Sequence, residues 1–237
     1  MLGRFFQRRQ VWWPTLPGWL VLFVLLLAPV LTWWFKGEAF FAITEREKAE
    51  VLVVEGWIGM EGVRAAKAEF EQGGYRWLIA VGASTNNRWG QRQWNYAALA
   101  HDELVRLGLR PEQVIAVPSK DAGRQRTFES ALAVREALRS RSLVPHAINI
   151  LTLGVHARRS RLVFSKVFEP EVEVGAIAWH PQVYGTGPWW DSSERAGDMI
   201  KETVGYFFEA LLNSGRFTNT PPPIAQPAKP QESSTHS

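Results

Sequence analysis

Cysteine is absent from this chain of 237 residues, which excludes disulfides, thiolate catalysis and cysteine-ligated metal centres. Histidine is scarce as well: there are 5, and none is spaced like the H-E-x-x-H pair of a zinc enzyme. We therefore predict no metal site, and nothing in the sequence predicts a cofactor. A chain without thiols suits an oxidising compartment outside the cytoplasm.

Three further motifs are missing: the P-loop, the dinucleotide-binding G-x-G-x-x-G and the nucleophile elbow G-x-S-x-G. NTPases, dinucleotide enzymes and elbow-type hydrolases therefore have no motif support. The net charge is +4 and the pI is near 9.6, but lysine and arginine form no dense stripe, so nucleic acid is not a predicted partner. A mild positive charge instead favours anionic membranes or anionic ligands.

Charged residues are also missing from one long apolar run, Val11 to Phe35. A bilayer is crossed by about 20 mostly apolar residues, and tryptophans lie near both ends of this run, as in the aromatic belts of membrane helices. Arg4, Arg8 and Arg9 precede it with no acidic residue, which places the amino terminus in the cytoplasm. The sequence predicts a single-pass anchor in the inner (cytoplasmic) membrane that contacts the phospholipid bilayer, with the globular part periplasmic or extracytoplasmic.

Two other interpretations of the run are a cleaved signal peptide and a buried core helix. A signal peptide has an apolar region of about 7–15 residues and a small-residue cleavage site. This run is longer, and its carboxyl-terminal end, Thr32 to Lys36, has no Ala-x-Ala pattern. A core helix would rarely carry tryptophan at both ends. An uncleaved signal anchor is the favoured interpretation, and Pro29 does not disqualify it.

Composition predicts five segments along the chain: a cytoplasmic segment 1–10, the anchor 11–35, a juxtamembrane linker 36–48, an α/β domain 49–215 and a tail 216–237. The tail is rich in proline, serine and threonine and has no apolar periodicity, which is typical of disorder.

Short apolar runs alternate with helical patterns through the predicted domain. The runs that predict strands are 51–54, 77–81, 113–117, 147–153 and 172–178. This alternation predicts an α/β fold, with a Rossmann-like, mostly parallel five-stranded sheet covered by helices on both faces. A last helix, about 194–212, is expected to pack on the core through an apolar side formed by Ile200, Val204, Phe207, Phe208 and Leu211.

Polar and glycine residues follow the predicted strands, at the edge where open parallel sheets bind ligands. In chain order they are Glu55 and Gly56, then Gly82 and Ser84, then Thr127 and Glu129, then His156 and Arg159. The strand order is left open by the sequence. With the order 3-2-1-4-5, Glu55 would face His156 across the point where the order reverses.

Three of these residues carry the predicted chemistry. Arg159 lies at the start of a helix, where it and backbone N–H groups would hold an anion, and His156 would donate or accept a proton. Glu55 ends an apolar strand, where a carboxylate is costly unless paired or functional. It is interpreted as a general base or hydroxyl acceptor, or else as one half of a structural ion pair with Arg64 or Arg159. Glu129 either faces the cleft or complements its helix dipole.

Together these segments resemble the YdcF/SanA/ElyC family, which carries a domain of unknown function. The likeness covers about Glu50 to Leu212 and rests on VLVVEGW, Arg64, Val81 to Ser84, Thr127 to Ser130 and Val155 to Ser160. Ser130 and Val155 replace the usual asparagine and aromatic residue, and these departures bear on the ligand more than on the fold. The resemblance implies an amino-terminal membrane helix, a role in cell-envelope integrity and wall-polymer synthesis, and ligand contacts from the matching residues, Arg64 included. It implies no particular reaction.

Three hypotheses about function follow. The leading one is a membrane-anchored protein of cell-envelope (peptidoglycan or polysaccharide) biogenesis that binds a phosphate-bearing, lipid-linked precursor; whether it also hydrolyses or transfers it is left open. The second is a non-catalytic binding or scaffold protein that recruits envelope-synthesis proteins. The third, a ligand such as S-adenosylmethionine, is disfavoured by the predicted external location.

Overall fold

A computed structural model describes residues 14–84, 94–120 and 125–212 of the chain. Two compact units are present, Met1–Glu38 and Ala39–Ser237. The predicted cytoplasmic segment 1–10, residues 11–13 of the predicted anchor, the end of the predicted domain (213–215) and the predicted tail 216–237 lie outside the described residues.

The first unit is formed by the helix α1, Leu16–Phe41, whose last three residues belong to the second unit. Its most apolar window has a mean hydropathy of 2.1 and none of it is buried in the protein. The helix is therefore long and apolar enough to cross a membrane. It continues past the predicted end of the anchor at Phe35, so the start of the predicted 36–48 linker is helical.

The second unit is built on six strands: β1 Thr44–Glu45, β2 Val51–Glu55, β3 Trp77–Ala83, β4 Val114–Ser119, β5 Ala147–Leu153 and β6 Glu173–Trp179. They form one sheet in the order β1-β6-β5-β2-β3-β4, in which β2 to β6 are parallel and β1 is antiparallel to β6. The predicted α/β class and mostly parallel sheet are confirmed. The predicted count of five strands is wrong, because the two-residue β1 is too short to leave a periodic pattern, and its antiparallel edge makes a Rossmann-like description inexact.

Within the described residues, four helices cover the sheet: α2 Gly59–Gly73, α3 Tyr96–Arg106, α4 Arg126–Ser140 and α5 Ala157–Phe168. A further helix, α6 Ser193–Leu211, packs against α5. Successive residues of a strand point to opposite faces. Val53 thus packs in one core with Phe128 of α4 and Phe164 of α5, while Leu52 packs in a second core with Leu104 of α3. All five residues of β2 are buried because both faces are covered. The prediction of helices on both faces is confirmed.

The last helix has the predicted period but presents the opposite face. Its apolar side is exposed, with fractions of 56% at Ile200, 66% at Val204, 52% at Phe207, 41% at Phe208 and 79% at Leu211. The buried positions are instead Arg195, Met199, Glu202 and Glu209. The prediction that the apolar side packs on the core is wrong, because α5 presents cations to α6: Arg159 binds Glu202, and Lys166 donates to the backbone carbonyl of Glu209.

Candidate functional site

The reversal of strand order lies between β2 and β5, since the chain runs outward from β2 to β4 and returns to pair β5 with β2. Glu55 is the last residue of β2, and His156 lies in the short 3-10 turn Gly154–His156 that follows β5. Both residues are thus at the carboxyl edge of neighbouring strands, where open α/β sheets place their ligand sites.

Glu55 is 2% exposed, and its carboxylate is compensated by three polar neighbours. Its Oε2 accepts hydrogen bonds from the hydroxyl of Thr152 and, at 3.2 Å, from that of Ser160. The third neighbour is His156, whose Nε2 is 3.5 Å from the same oxygen. These contacts offset the cost of burying a carboxylate. Within the described residues, its close ionic contact is with His156 rather than with an arginine.

His156 is held between two carboxylates. On one side its Nε2 faces Glu55, and on the other its Nδ1 is 3.0 Å from Oε1 of Glu202. The indole of Trp57 packs against the imidazole at 86° with the ring centroids 5.3 Å apart. Trp57 is 38% exposed while His156 is 6% exposed. The indole therefore forms part of the cover between the imidazole and solvent.

Arg159 is the cation of the cluster. Its Nε and Nη2 donate to the two carboxylate oxygens of Glu202 at 2.6 and 3.0 Å, and its Nη1 donates to the hydroxyl of Thr127 at 3.4 Å. This bidentate arrangement is the strong form of an arginine–carboxylate pair. Burial would raise the pKa of Glu202, but the hydrogen bonds and charges of His156 and Arg159 outweigh it and lower that pKa to about 2.

The proton on Nδ1 of His156 follows from its neighbours. Both Oε1 of Glu202 and Nη2 of Arg159 lie 3.0 Å from Nδ1. Because the guanidinium already donates to Glu202, all three groups are satisfied when Nδ1–H also donates to that carboxylate. A carboxylate that accepts a hydrogen bond from Nδ1–H in this way fixes the orientation of the ring and leaves Nε2 to exchange a proton.

The carboxylates of Glu55 and Glu202 lie on opposite sides of the imidazole, and Glu202 is also paired with Arg159. Nε2 of His156 faces a carboxylate oxygen of Glu55 at 3.5 Å. A histidine next to a carboxylate at the strand ends is an arrangement that general acid–base chemistry uses.

Gly56, Gly82 and Ser84 organise the start of α3. A Cβ at Gly56 would lie 2.4 Å from the carbonyl oxygen of Tyr96, and one at Gly82 would lie 2.7 Å from the Cβ of Tyr96. Ser84 forms an isolated antiparallel bridge with Asn95, whose side chain caps α3. These positions allow α3 to approach the ends of β2 and β3 closely, so their role in the structure is packing.

Two other predicted site residues lie apart from the cluster. Arg64 projects from α2, with Nε 3.6 Å from the carboxylate of Glu103 on α3, and more than half of its side chain is exposed. Glu129 is half-buried in the first turn of α4. Of the predicted residues, the structure joins Glu55, Thr127, His156 and Arg159.

Three residues of the cluster were not predicted from the sequence. Thr152 and Ser160 carried weak signals: Thr152 interrupts the apolar run of β5, and Ser160 is one helical turn after His156. Glu202 carried none, since it lies 43 residues beyond Arg159 on a helix whose apolar side was expected to face the core.

The fold and the cluster define a class of protein: an α/β domain behind an apolar amino-terminal helix, with buried ionisable groups where the strand order reverses. In comparisons with known proteins, neither a family model nor a curated protein sequence matches the chain.

Proposed function

We propose that this chain is a membrane-anchored protein of cell-envelope biogenesis that hydrolyses or transfers a phosphate-bearing, lipid-linked precursor by acid–base chemistry at His156. The observation that carries the proposal is the position of His156 between Glu55 and Glu202 at the reversal of strand order. Buried ionisable groups in contact with one another in such a place are candidates for function. The proposal includes membership of the YdcF/SanA/ElyC family, on the motifs described above.

The predicted location supports a lipid-linked substrate. The helix α1 is long and apolar enough to span a bilayer, and the basic residues that precede it favour a cytoplasmic amino terminus and an external domain. An anchored domain meets lipid-linked molecules at a far higher effective concentration than a freely diffusing one would.

In the proposed reaction, a proton moves between the substrate and the pair formed by His156 and Glu55. Water or an acceptor hydroxyl adds to phosphorus and passes its proton to this pair, while the bond to the leaving oxygen breaks and that oxygen takes up a proton. Glu202 holds Nδ1–H throughout, and Arg159 holds Glu202. Positioned proton transfer of this kind is worth about 10²–10⁴ in rate.

The role of Arg159 in this proposal differs from the one predicted from sequence. Nε and Nη2 of Arg159 both donate to Glu202, so Arg159 is a positioning residue rather than the group that binds the phosphate. Exposed cations at the same edge of the sheet, Lys120 after β4 and Arg126 at the start of α4, supply the positive charge for an anionic substrate.

The test uses full-length protein in lipid nanodiscs and a short-chain polyprenyl diphosphate as substrate, with release of inorganic phosphate as the readout. We expect His156→Gln and Glu55→Gln each to lower turnover by about 100-fold or more. The matched control is Glu171→Gln, which removes a carboxylate paired with the buried Arg135 elsewhere in the domain, at 3.1 Å. Turnover retained in both site variants would contradict the mechanism.

A second candidate function is the non-catalytic scaffold. It is favoured by one observation: the cluster is internally paired, with Arg159 satisfied by Glu202 and Thr127, as in a structural ion-pair network. On this alternative, wild-type protein releases no phosphate from any lipid diphosphate, and the site variants alter thermal stability alone.

A further inference from the structure

The outward face of α6 is an apolar stripe. Its members are spaced at i, i+4, i+7, i+8 and i+11 and are all exposed: Ile200, Val204, Phe207, Phe208 and Leu211. This is the spacing of one face of an amphipathic helix. Single exposed apolar residues need no explanation, but a continuous stripe over three turns marks a surface that contacts something apolar.

Charge is segregated along the part of α6 that carries the stripe. From Met199 to Leu211, the two carboxylates, Glu202 and Glu209, are both buried against α5, and the exposed charge is the cation of Lys201. The outward face is therefore apolar with a positive margin and without an acidic residue. This composition favours an anionic lipid surface over a polar protein surface.

The stripe adjoins the end of α1 within the second unit. The rings of Phe40 and Phe41 pack edge-on against Tyr206 of α6, with centroids 5.5 and 5.7 Å away, and Tyr206 packs in turn against Phe207 at 5.8 Å. The guanidinium of Arg158 lies 4.1 Å above the ring of Phe40. The apolar surface thus runs from the last turn of α1 onto α6, beside a cation.

We infer that α6 docks on the bilayer surface, with its apolar stripe at the boundary between headgroups and acyl chains and with Lys201 and Arg158 among anionic headgroups. Interfacial amphipathic helices bury their apolar face in this way, about 5–10 Å deep. The inference rests on the proposed anchorage by α1 and is independent of the chemistry at His156.

The absence of cysteine allows a direct test, because a single introduced thiol can be spin-labelled in the full-length chain. Labels at Val204→Cys and Phe207→Cys report on the stripe in nanodiscs that contain anionic phospholipid, and a label at Leu25→Cys reports on the anchor. Val144→Cys, 41% exposed and outside α6, is the matched apolar control. The readout is collision with oxygen, which partitions into lipid, and with a nickel chelate, which stays in water.

We expect labels at 25, 204 and 207 to collide mainly with oxygen and the label at 144 mainly with the chelate. A lipid-exposed label at 25 with water-exposed labels at 204 and 207 would overturn the docking of α6 and leave the anchorage intact. A water-exposed label at 25 would overturn both. Labels at 204 and 207 shielded from both reagents would show a protein cover, such as a second copy of the chain, and would also overturn bilayer docking.

Discussion

Two polar clusters in the domain are each built around a buried polar residue of β5, and they differ in whether they hold a histidine between carboxylates. The site cluster comprises Glu55, His156, Arg159 and Glu202, and it includes Thr152 of β5. The linker cluster comprises Asn149 of β5 with Arg46, Glu69 and Tyr75, and it holds the segment that leads from β1 to β2.

Every partner in the linker cluster has a fixed role. Oδ1 of Asn149 accepts from the backbone N–H of Glu47 at 2.8 Å, and its Nδ2 donates to the carbonyl of Glu47 and to the hydroxyl of Tyr75, both at 2.9 Å. Tyr75 donates to Glu69 at 3.1 Å, and Arg46 donates two further hydrogen bonds to the same carboxylate. No group here has two protonation states of similar energy near neutral pH.

The site cluster differs in its geometry. His156 lies between two carboxylates, with Nε2 3.5 Å from Oε2 of Glu55 and Nδ1 3.0 Å from Oε1 of Glu202. A buried polar residue of β5 is therefore common to both clusters, and a histidine between two carboxylates belongs to the one at the strand ends. That contrast separates a structural polar network from a candidate acid–base site.

The largest expected effect comes from breaking the linker cluster with Asn149→Ala. Three hydrogen bonds are lost, and the backbone N–H and C=O of Glu47 are left without these partners at a cost of about 1–3 kcal/mol each. We expect the free energy of unfolding of the full-length protein to fall by about 4 kcal/mol and Tm by about 10 °C. Thermal unfolding measures this, and turnover per folded molecule should not change.

Gln113→Ala is the control for Asn149→Ala, because it removes an amide whose bond to Arg110 is on the surface. Its effect should be within about 0.5 kcal/mol. Equal Tm values for the two variants would show that Asn149 does not hold the linker.

The next effect in size is that of Glu202→Gln, which breaks the site cluster. A buried cation that loses its partner costs about 3 kcal/mol or more at pH 7. The folded-state pKa of Glu202 is lowered to about 2 from an ordinary 4.5. Its ionic contribution is therefore present above about pH 4.5 and is lost as the pH falls towards 2. Urea unfolding at pH 7, 4, 3 and 2 should show wild type and variant converging in acid.

Glu136→Gln is the matched control for Glu202→Gln, since it removes a carboxylate in a similar two-bond pair with Arg139 on the surface. It should have no measurable effect on unfolding at any of these pH values. A difference in the free energy of unfolding between wild type and Glu202→Gln that stays constant down to pH 2 would show that the charge of Glu202 is not what stabilises the cluster.

Sequence alone predicted the parts of the site cluster that depend on local pattern. The buried run Val51 to Val54 identified β2, and its end identified Glu55 as a candidate; the same reasoning found His156 and Arg159 after β5. These predictions work because the carboxyl ends of parallel strands necessarily meet at one edge.

What sequence did not predict depends on contacts between distant elements. Glu202 reaches the site from α6, and only the tertiary fold decides which side of an amphipathic helix faces inward. Apolar periodicity identified the helix and misassigned its buried face, because the period fixes the spacing of a stripe and not the environment it meets. Arg64 shows the same limit: its pairing with Glu103 follows from the packing of α2 on α3.

The smallest expected effect on the free energy of unfolding is that of Tyr75→Phe, which removes the phenol hydroxyl from the linker cluster. Burial, together with the nearby charge of Glu69, raises the pKa of Tyr75 to about 12 from an ordinary 10. A raised pKa means that the neutral phenol stabilises the fold fully below pH 10 and that this contribution is lost as the pH rises through about 12. At pH 7 the variant should lose about 1 kcal/mol, the value of one hydrogen bond.

Between pH 10 and 12 the difference in the free energy of unfolding between wild type and Tyr75→Phe should become smaller, because only the wild type carries the titrating phenol. Urea unfolding of both proteins at pH 7, 10 and 11.5 checks this. A gap that stays constant would mean that Tyr75 ionises in the folded protein as readily as in water. The linker cluster would then not favour the neutral phenol, and its contrast with the cluster around His156 would rest on that histidine and its two carboxylates alone.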